Sequence, residues 1–204
     1  MDILHLDQRK NKNNEQHFVF GIFFIFIAIS IAIAAIMSEI VSINKAPFYY
    51  YLIIWVGSFA ITFISLFHDK LTLARTIKTR MENSIRWPKK AKVLNGVCWA
   101  GPFATIAIFP YLLPYLVLIG IGLGNVSTYV LLKTFNRISN QEQLIVGLVS
   151  IAAIPIVYGV HLDLLVVKED IAIILSRIFV SFAYALGGIY ALRQNLINNE
   201  LSAI

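Results

Sequence analysis

Charge is what this chain has least of. Lys, Arg, Asp and Glu together make up 14% of its 204 residues, where an ordinary soluble domain carries about a quarter. Hydrophobic residues reach 58% and the mean hydropathy is +0.75. A water-soluble fold of this length has too little interior to hide so much apolar surface. The bilayer is therefore the expected solvent.

Other shortages remove whole classes of chemistry. Cys98 is the single cysteine, so no intrachain disulfide can form. The four histidines, His5, His17, His68 and His161, include no pair at ligand spacing within an apolar segment, which argues against haem and zinc. The one glycine-rich run, GIGLGN from Gly120, lies inside an apolar stretch instead of following a strand, so it is no phosphate loop. No serine sits in a GxSxG setting, no base neighbours Cys98, and no carboxylates pair up inside an apolar segment. No catalytic, cofactor-binding or metal-ligating residue is assigned, no cofactor is expected, and an enzyme is the less favoured reading.

What is present is a series of long apolar runs. A spanning helix needs roughly 17–25 mostly apolar residues. Residues 18–37 and 48–67 qualify, and 93–132 is forty residues without a charge, too long for one span. Pro110 and Pro114 in FPYLLP mark its turn, dividing it into 93–109 and 115–132. Residues 144–162 and 171–192 complete the series. The expected fold is all-α: a polytopic bundle of six transmembrane helices over 18–192, with tails at 1–17 and 193–204. The apolar run of the first span continues past Ala32-Ile33-Ala34, and the leader 1–17 has no net charge, so a retained helix is expected instead of a cleaved signal peptide.

Basic residues orient the bundle. With the N-terminus in the cytosol, fourteen of the seventeen Lys and Arg fall on the inner side: Arg9, Lys10, Lys12, eight in the 68–92 loop, Lys133, Arg137 and Arg193. Only Lys45 and Lys168 fall outside, and Arg177 lies within a span. By the positive-inside rule both termini are cytosolic and the chain is a multi-pass protein of the cell membrane. The loop needs no role beyond this one. A sharper reading places Leu71, Ala74, Ile77, Met81 and Ile85 on one helical face, with Arg75, Lys78, Arg86, Lys89 and Lys90 meeting anionic lipid headgroups. Lys70 interrupts that face, and the second span continuing as a helix is the alternative. Apart from Trp87 the loop has no aromatic residue for stacking on bases, so nucleic acid is not expected.

Arg177 is the best functional pointer, since a charge within a span costs roughly 2.5–3.5 kcal/mol at mid-bilayer. It lies seven residues beyond Asp170, about 10 Å at helical rise. Two readings stand. Arg177 snorkels to the outer headgroups, or it joins an outer polar cluster with Glu39, His161 and Asp163. Side chains lean toward the helix N-terminus, which points Arg177 outward and Glu39 inward, so the two meet if the first and sixth helices are neighbours. A structural clamp is the plainer role for such a pair, and a substrate site or a proton relay through His161 the sharper one.

Packing signals are plentiful and less specific. Gly120 and Gly124 have GxxxG spacing, Gly187-Gly188 offers a second close approach, and Asn125 with Ser127 and Thr128 suggests an interhelical hydrogen bond. Gly101-Pro102 and Pro155 are expected to kink their helices. Val56 and Val146 open faintly similar stretches, as an inverted repeat would require, but the other spans do not align. Three functions remain. The first is a small transporter or permease component; the second is a non-catalytic accessory or scaffold subunit of a membrane complex. A lipid-handling enzyme comes third, for want of a catalytic set. Expected partners are membrane lipids, with a membrane-protein partner or a second copy of the chain.

Overall fold

The computed structural model describes residues 3–47, 49–68, 78, 87–163 and 169–202. These form six long α-helices, α1 (Ile3–Ile43), α2 (Tyr49–His68), α3 (Lys89–Ile106), α4 (Leu113–Leu131), α5 (Gln141–Asp163) and α6 (Glu169–Ser202), with no strand among the described residues. The helix count matches the number of apolar runs. Four segments are long and apolar enough to cross a membrane: Phe18–Ile43, Pro110–Asn136, Gln141–Val160 and Ile171–Ile197. Tyr49–Ser65 is apolar but shorter. α3 falls short because its 18 residues begin KKAK, so three lysines occupy its first turn.

The α3–α4 hairpin turns where the prolines dictate. Pro110 keeps Phe109 out of the helical region, at φ −126° and ψ 71°, and α3 stops at Ile106, earlier than the apolar run does. A 3₁₀ turn, Pro110–Leu112, leads into α4, where Pro114 occupies the first turn and needs no N–H partner. By contrast α3 and α5 run on through Pro102 and Pro155. At the other end α4 widens into a π turn, Leu132–Asn136, closed by Arg137 in the left-handed region at φ 55°. There Trp87 donates its indole N–H to Asn136 and packs with Ala91, Leu131 and Leu132, tying the start of α3 to the end of α4.

In space the helices run α2, α1, α6, α5, α4, α3, with α4 also touching α6. The central four close on a core that includes Leu118, Val146, Val157 and Ala183, all fully buried. Glycines set these distances. A Cβ on Gly188 would lie 2.9 Å from the Gly21 carbonyl oxygen, one on Gly187 2.9 Å from that of Glu142, and one on Gly122 3.3 Å from that of Gly147. Gly120 and Gly124, the pair with GxxxG spacing, do something else: they leave room for the Phe103 and Trp99 rings of α3.

The outer two helices each lean mainly on one neighbour. α2 packs on α1 through the aromatic series Trp55, Phe59 and Phe63, the last meeting Phe23 at 5.7 Å. α3 is held to α4 by Asn95, whose Oδ1 accepts from Ser127 at 2.7 Å and Thr128 at 3.0 Å. α2 and α3 share no comparable interface, whereas α5 and α6 pack closely. The two halves of the chain are therefore not equivalent, and the similarity of the stretches at Val56 and Val146 reflects composition.

Candidate functional site

Successive helices alternate in direction, so the bundle has two distinct ends. One gathers the starts of α3 and α5 and the ends of α4 and α6, with Lys89, Lys90, Lys92, Lys133, Arg137 and Arg193. The opposite end carries six of the nine tyrosines, Tyr49, Tyr50, Tyr51, Tyr111, Tyr115 and Tyr158. Tyr115 and Tyr158 meet edge to face at 6.0 Å, and Tyr49 stacks on Tyr50 at 4.6 Å. Rings with one polar tip suit a water–hydrocarbon boundary.

At this tyrosine-rich end the first and sixth helices are neighbours, and the opposite leans of their side chains bring Arg177 and Glu39 together. The Arg177 guanidinium donates from Nη1 to Glu39 Oε1 at 3.1 Å. The pair is not sealed, for its side chains remain 17% and 31% exposed respectively. Trp55 of α2 lies beneath the guanidinium, 5.7 Å from its ring centroid to Cζ, within cation–π range. Nearby Ser181 donates to the Ala28 carbonyl at 2.9 Å, a second polar link across the α1–α6 seam.

Arg177 also borders two cavities. One, of about 400 Å³, follows the α1–α6 groove between Ala32, Ile36 and Glu39 on one side and Arg177, Ile178 and Phe182 on the other. Ile36, Ile178 and Phe182 are more than half exposed, so the cavity opens sideways, away from the bundle axis. The other, of about 420 Å³, lies against Tyr51, Leu52 and Trp55. Both volumes fall in the range of about 300–1,000 Å³ usual for small-molecule sites. Two charges at the mouth of an apolar trough can hold a polar group while the trough holds hydrocarbon.

The remaining candidate residues lie apart from this pair or outside the described residues. His161 and Asp163 belong to the last turn of α5, and their side chains lie outside the described residues. Arg75 and Arg86 also lie outside them; Lys78 is exposed, and Lys89 and Lys90 are exposed in the first turn of α3. Asn125 is buried and donates to the Ile121 carbonyl and, at 3.4 Å, to Tyr184 of α6, while Ser127 and Thr128 turn to Asn95. Among the described residues no group of three His, Cys, Asp or Glu could hold a metal.

Two features escaped the sequence reading. Trp55 and Tyr51 face Arg177 only because α2 folds back against α1; the YYY run before Trp55 was the available signal. Glu142 is fully buried in the first turn of α5, beside Asn140, which is equally buried. Starting the fifth span at Leu144 placed Glu142 in a loop, and nothing local distinguishes it from a solvated carboxylate. Comparison of the chain with family models, with curated proteins and with solved structures finds no match.

Proposed function

We propose that this chain is a six-span protein of the cell membrane, with both termini cytosolic, that binds a membrane amphiphile in the α1–α6 cleft at its outer end. The clustering of Lys and Arg at one end and of tyrosines at the other supports that orientation. It places Glu39 and Arg177 below the outer headgroups, about 6 Å and 9 Å from the ends of their apolar segments at helical rise. The observation that carries the functional reading is the sideways-opening cavity that ends on this ion pair. A solute crossing in water would need a polar path along the bundle axis, where Leu118, Val146 and Val157 instead pack without exposure. A small transporter or permease component that takes its substrate from the lipid phase fits this arrangement.

The test is to extract the protein gently from its own membrane and identify what remains bound. The wild type is expected to retain an amphiphile in about one-to-one ratio, and Ala32→Trp, which fills the cavity, to lose it while keeping its abundance and melting temperature. An identical bound-lipid complement in both proteins would sink the reading.

A second reading, the accessory subunit, has its own support. α2 and α3 each have one principal neighbour and expose apolar faces, among them Leu52, Ile53 and Val56 on α2 and Val93, Leu94 and Val97 on α3. A stoichiometric second polypeptide in native mass spectra of the same extract would favour it; a lone chain or homo-oligomer would favour the transporter.

A further inference from the structure

The chemical class of the amphiphile follows from the polarity of the cleft, given the binding reading above. Along the cavity, Glu39 and Arg177 mark the end nearer the tyrosines, and Ala32 lies seven residues deeper, about 10 Å at helical rise. Charge at the shallow end and hydrocarbon below is the polarity of a lipid in the outer leaflet. The charges themselves are one of each sign, 3.1 Å apart. A purely anionic headgroup that reached Arg177 would also meet the Glu39 carboxylate. A purely cationic one that reached Glu39 would meet the guanidinium. A headgroup with both signs offers each protein charge a partner.

We infer that the cleft takes a zwitterionic phospholipid whose ammonium carries at least one N–H, with one acyl chain in the α1–α6 cavity. A guanidinium has five N–H donors in a planar fork, and among the described residues Arg177 commits one to Glu39. The others are free to donate to the lipid phosphate, the bidentate geometry for which arginine is suited. The lipid ammonium donates to Glu39, the more exposed member of the pair. A quaternary amine has no N–H for Glu39 and is ordinarily held on an aromatic face. Here Arg177 already lies over the Trp55 ring, so a choline headgroup has no N–H for Glu39 and finds that ring occupied. A glycerol or serine headgroup fails differently, by leaving its phosphate or its extra carboxylate beside Glu39 without enough compensating positive charge.

The experiment uses the full-length protein in nanodiscs made from equal parts of phosphatidylethanolamine, phosphatidylcholine and phosphatidylglycerol with identical oleoyl chains. Lipids that stay on the protein in native mass spectrometry are counted by class. The wild type is expected to retain phosphatidylethanolamine about tenfold over either competitor, the effect of one charge-assisted hydrogen bond. Glu39→Gln should erase the preference over phosphatidylglycerol, Arg177→Gln should lower retention of all three classes, and Ala32→Trp should remove the bound lipid. Phosphatidylglycerol or phosphatidylcholine retained as well as phosphatidylethanolamine, yet displaced by Ala32→Trp, would overturn the zwitterion assignment and leave the amphiphile cleft standing. Retention indifferent to Ala32→Trp would overturn both. Should the charge variants fail to fold, the wild type alone decides through N-methylated phosphatidylethanolamines. Retention should persist through the second methyl group, which leaves one N–H, and drop at the third; no drop at the third contradicts the role given to Glu39.

Discussion

A Cβ added to Gly188, on the α1–α6 seam, would sit 2.9 Å from the carbonyl oxygen of Gly21; one added to Gly96, on α3, would meet nothing within 4 Å. The same residue type thus serves opposite ends in the two regions. Where the central four helices meet one another, Gly21, Gly122, Gly147, Gly187 and Gly188 let backbones approach, and the helices gain van der Waals contact. On α2 and α3 the glycines Gly57, Gly96 and Gly101 meet no backbone atom, and attachment depends on aromatic rings and the Asn95 hydrogen bonds. The centre is a close-packed unit, and the two outer helices are appended to it. Arg177 stands at the border of the two, between the cavity walled by α1 and α6 and the one against Tyr51, Leu52 and Trp55 of α2.

The comparison can be broken most severely at the seam. Gly188→Val pushes branched carbon atoms into the Gly21 backbone and Ile25, and overpacking of this kind costs about 3 kcal/mol or more. The expected result is loss of folded protein in detergent, read by size-exclusion chromatography and thermal melting. A normal melting temperature would show that α1 and α6 do not depend on close approach.

Next in size is the ion pair at the edge of the seam. Glu39→Gln keeps an acceptor oxygen but leaves Arg177 charged and without its counter-charge. A fully buried pair broken in this way costs about 3–5 kcal/mol, and a water-exposed one about 0–1. The partial exposure of this pair places it between those limits, at about 1–3 kcal/mol. Restoring neutrality with Arg177→Gln in the Glu39→Gln background should recover part of the lost melting temperature, because no uncompensated charge remains. If the double variant melts no higher than Glu39→Gln, the two side chains do not act as a pair.

Smaller effects separate the outer helix from the centre. Gly124→Ala forces the Trp99 ring away from contacts of 2.4–2.7 Å and disturbs its hydrogen bond to Thr128. A side chain yields more readily than a backbone, so about 1–2 kcal/mol is expected, with α3 becoming accessible to protease while the central helices stay protected. The smallest effect is at Gly96→Ala. With open space around it, a helical alanine there should be neutral or stabilise by about 0.5–1 kcal/mol. Destabilisation would reveal a partner pressed against that face of α3, and so favour the accessory-subunit reading.

Much of this was legible in the chain itself. Apolar runs of spanning length, punctuated by charges and by Pro110, announce the helices, because an unpaired backbone group in hydrocarbon is too costly for any other local structure. The meeting of Glu39 and Arg177 was half legible, since the lean of side chains specifies which way each reaches but not which helices adjoin. Gly120, Gly122 and Gly124 show the limit. Their spacing suggests one close approach; in the structure two of them accommodate rings from α3, and Gly122 faces α5. Helical period places residues on faces but leaves open which neighbour each face meets.

Local sequence sufficed for the apolar helices, four of them long enough to cross a membrane, and for the end at which the positive charges gather. These depend on local hydropathy and on charge within a few residues of each helix end. Only the tertiary structure decided that α1 adjoins α6, that α2 and α3 sit at opposite edges, and that Trp55 lies under Arg177 while Glu142 is enclosed. Each of these depends on contacts between residues far apart in the chain. In a bilayer, where lipid and helix are similarly apolar, shape and a few polar groups decide such contacts.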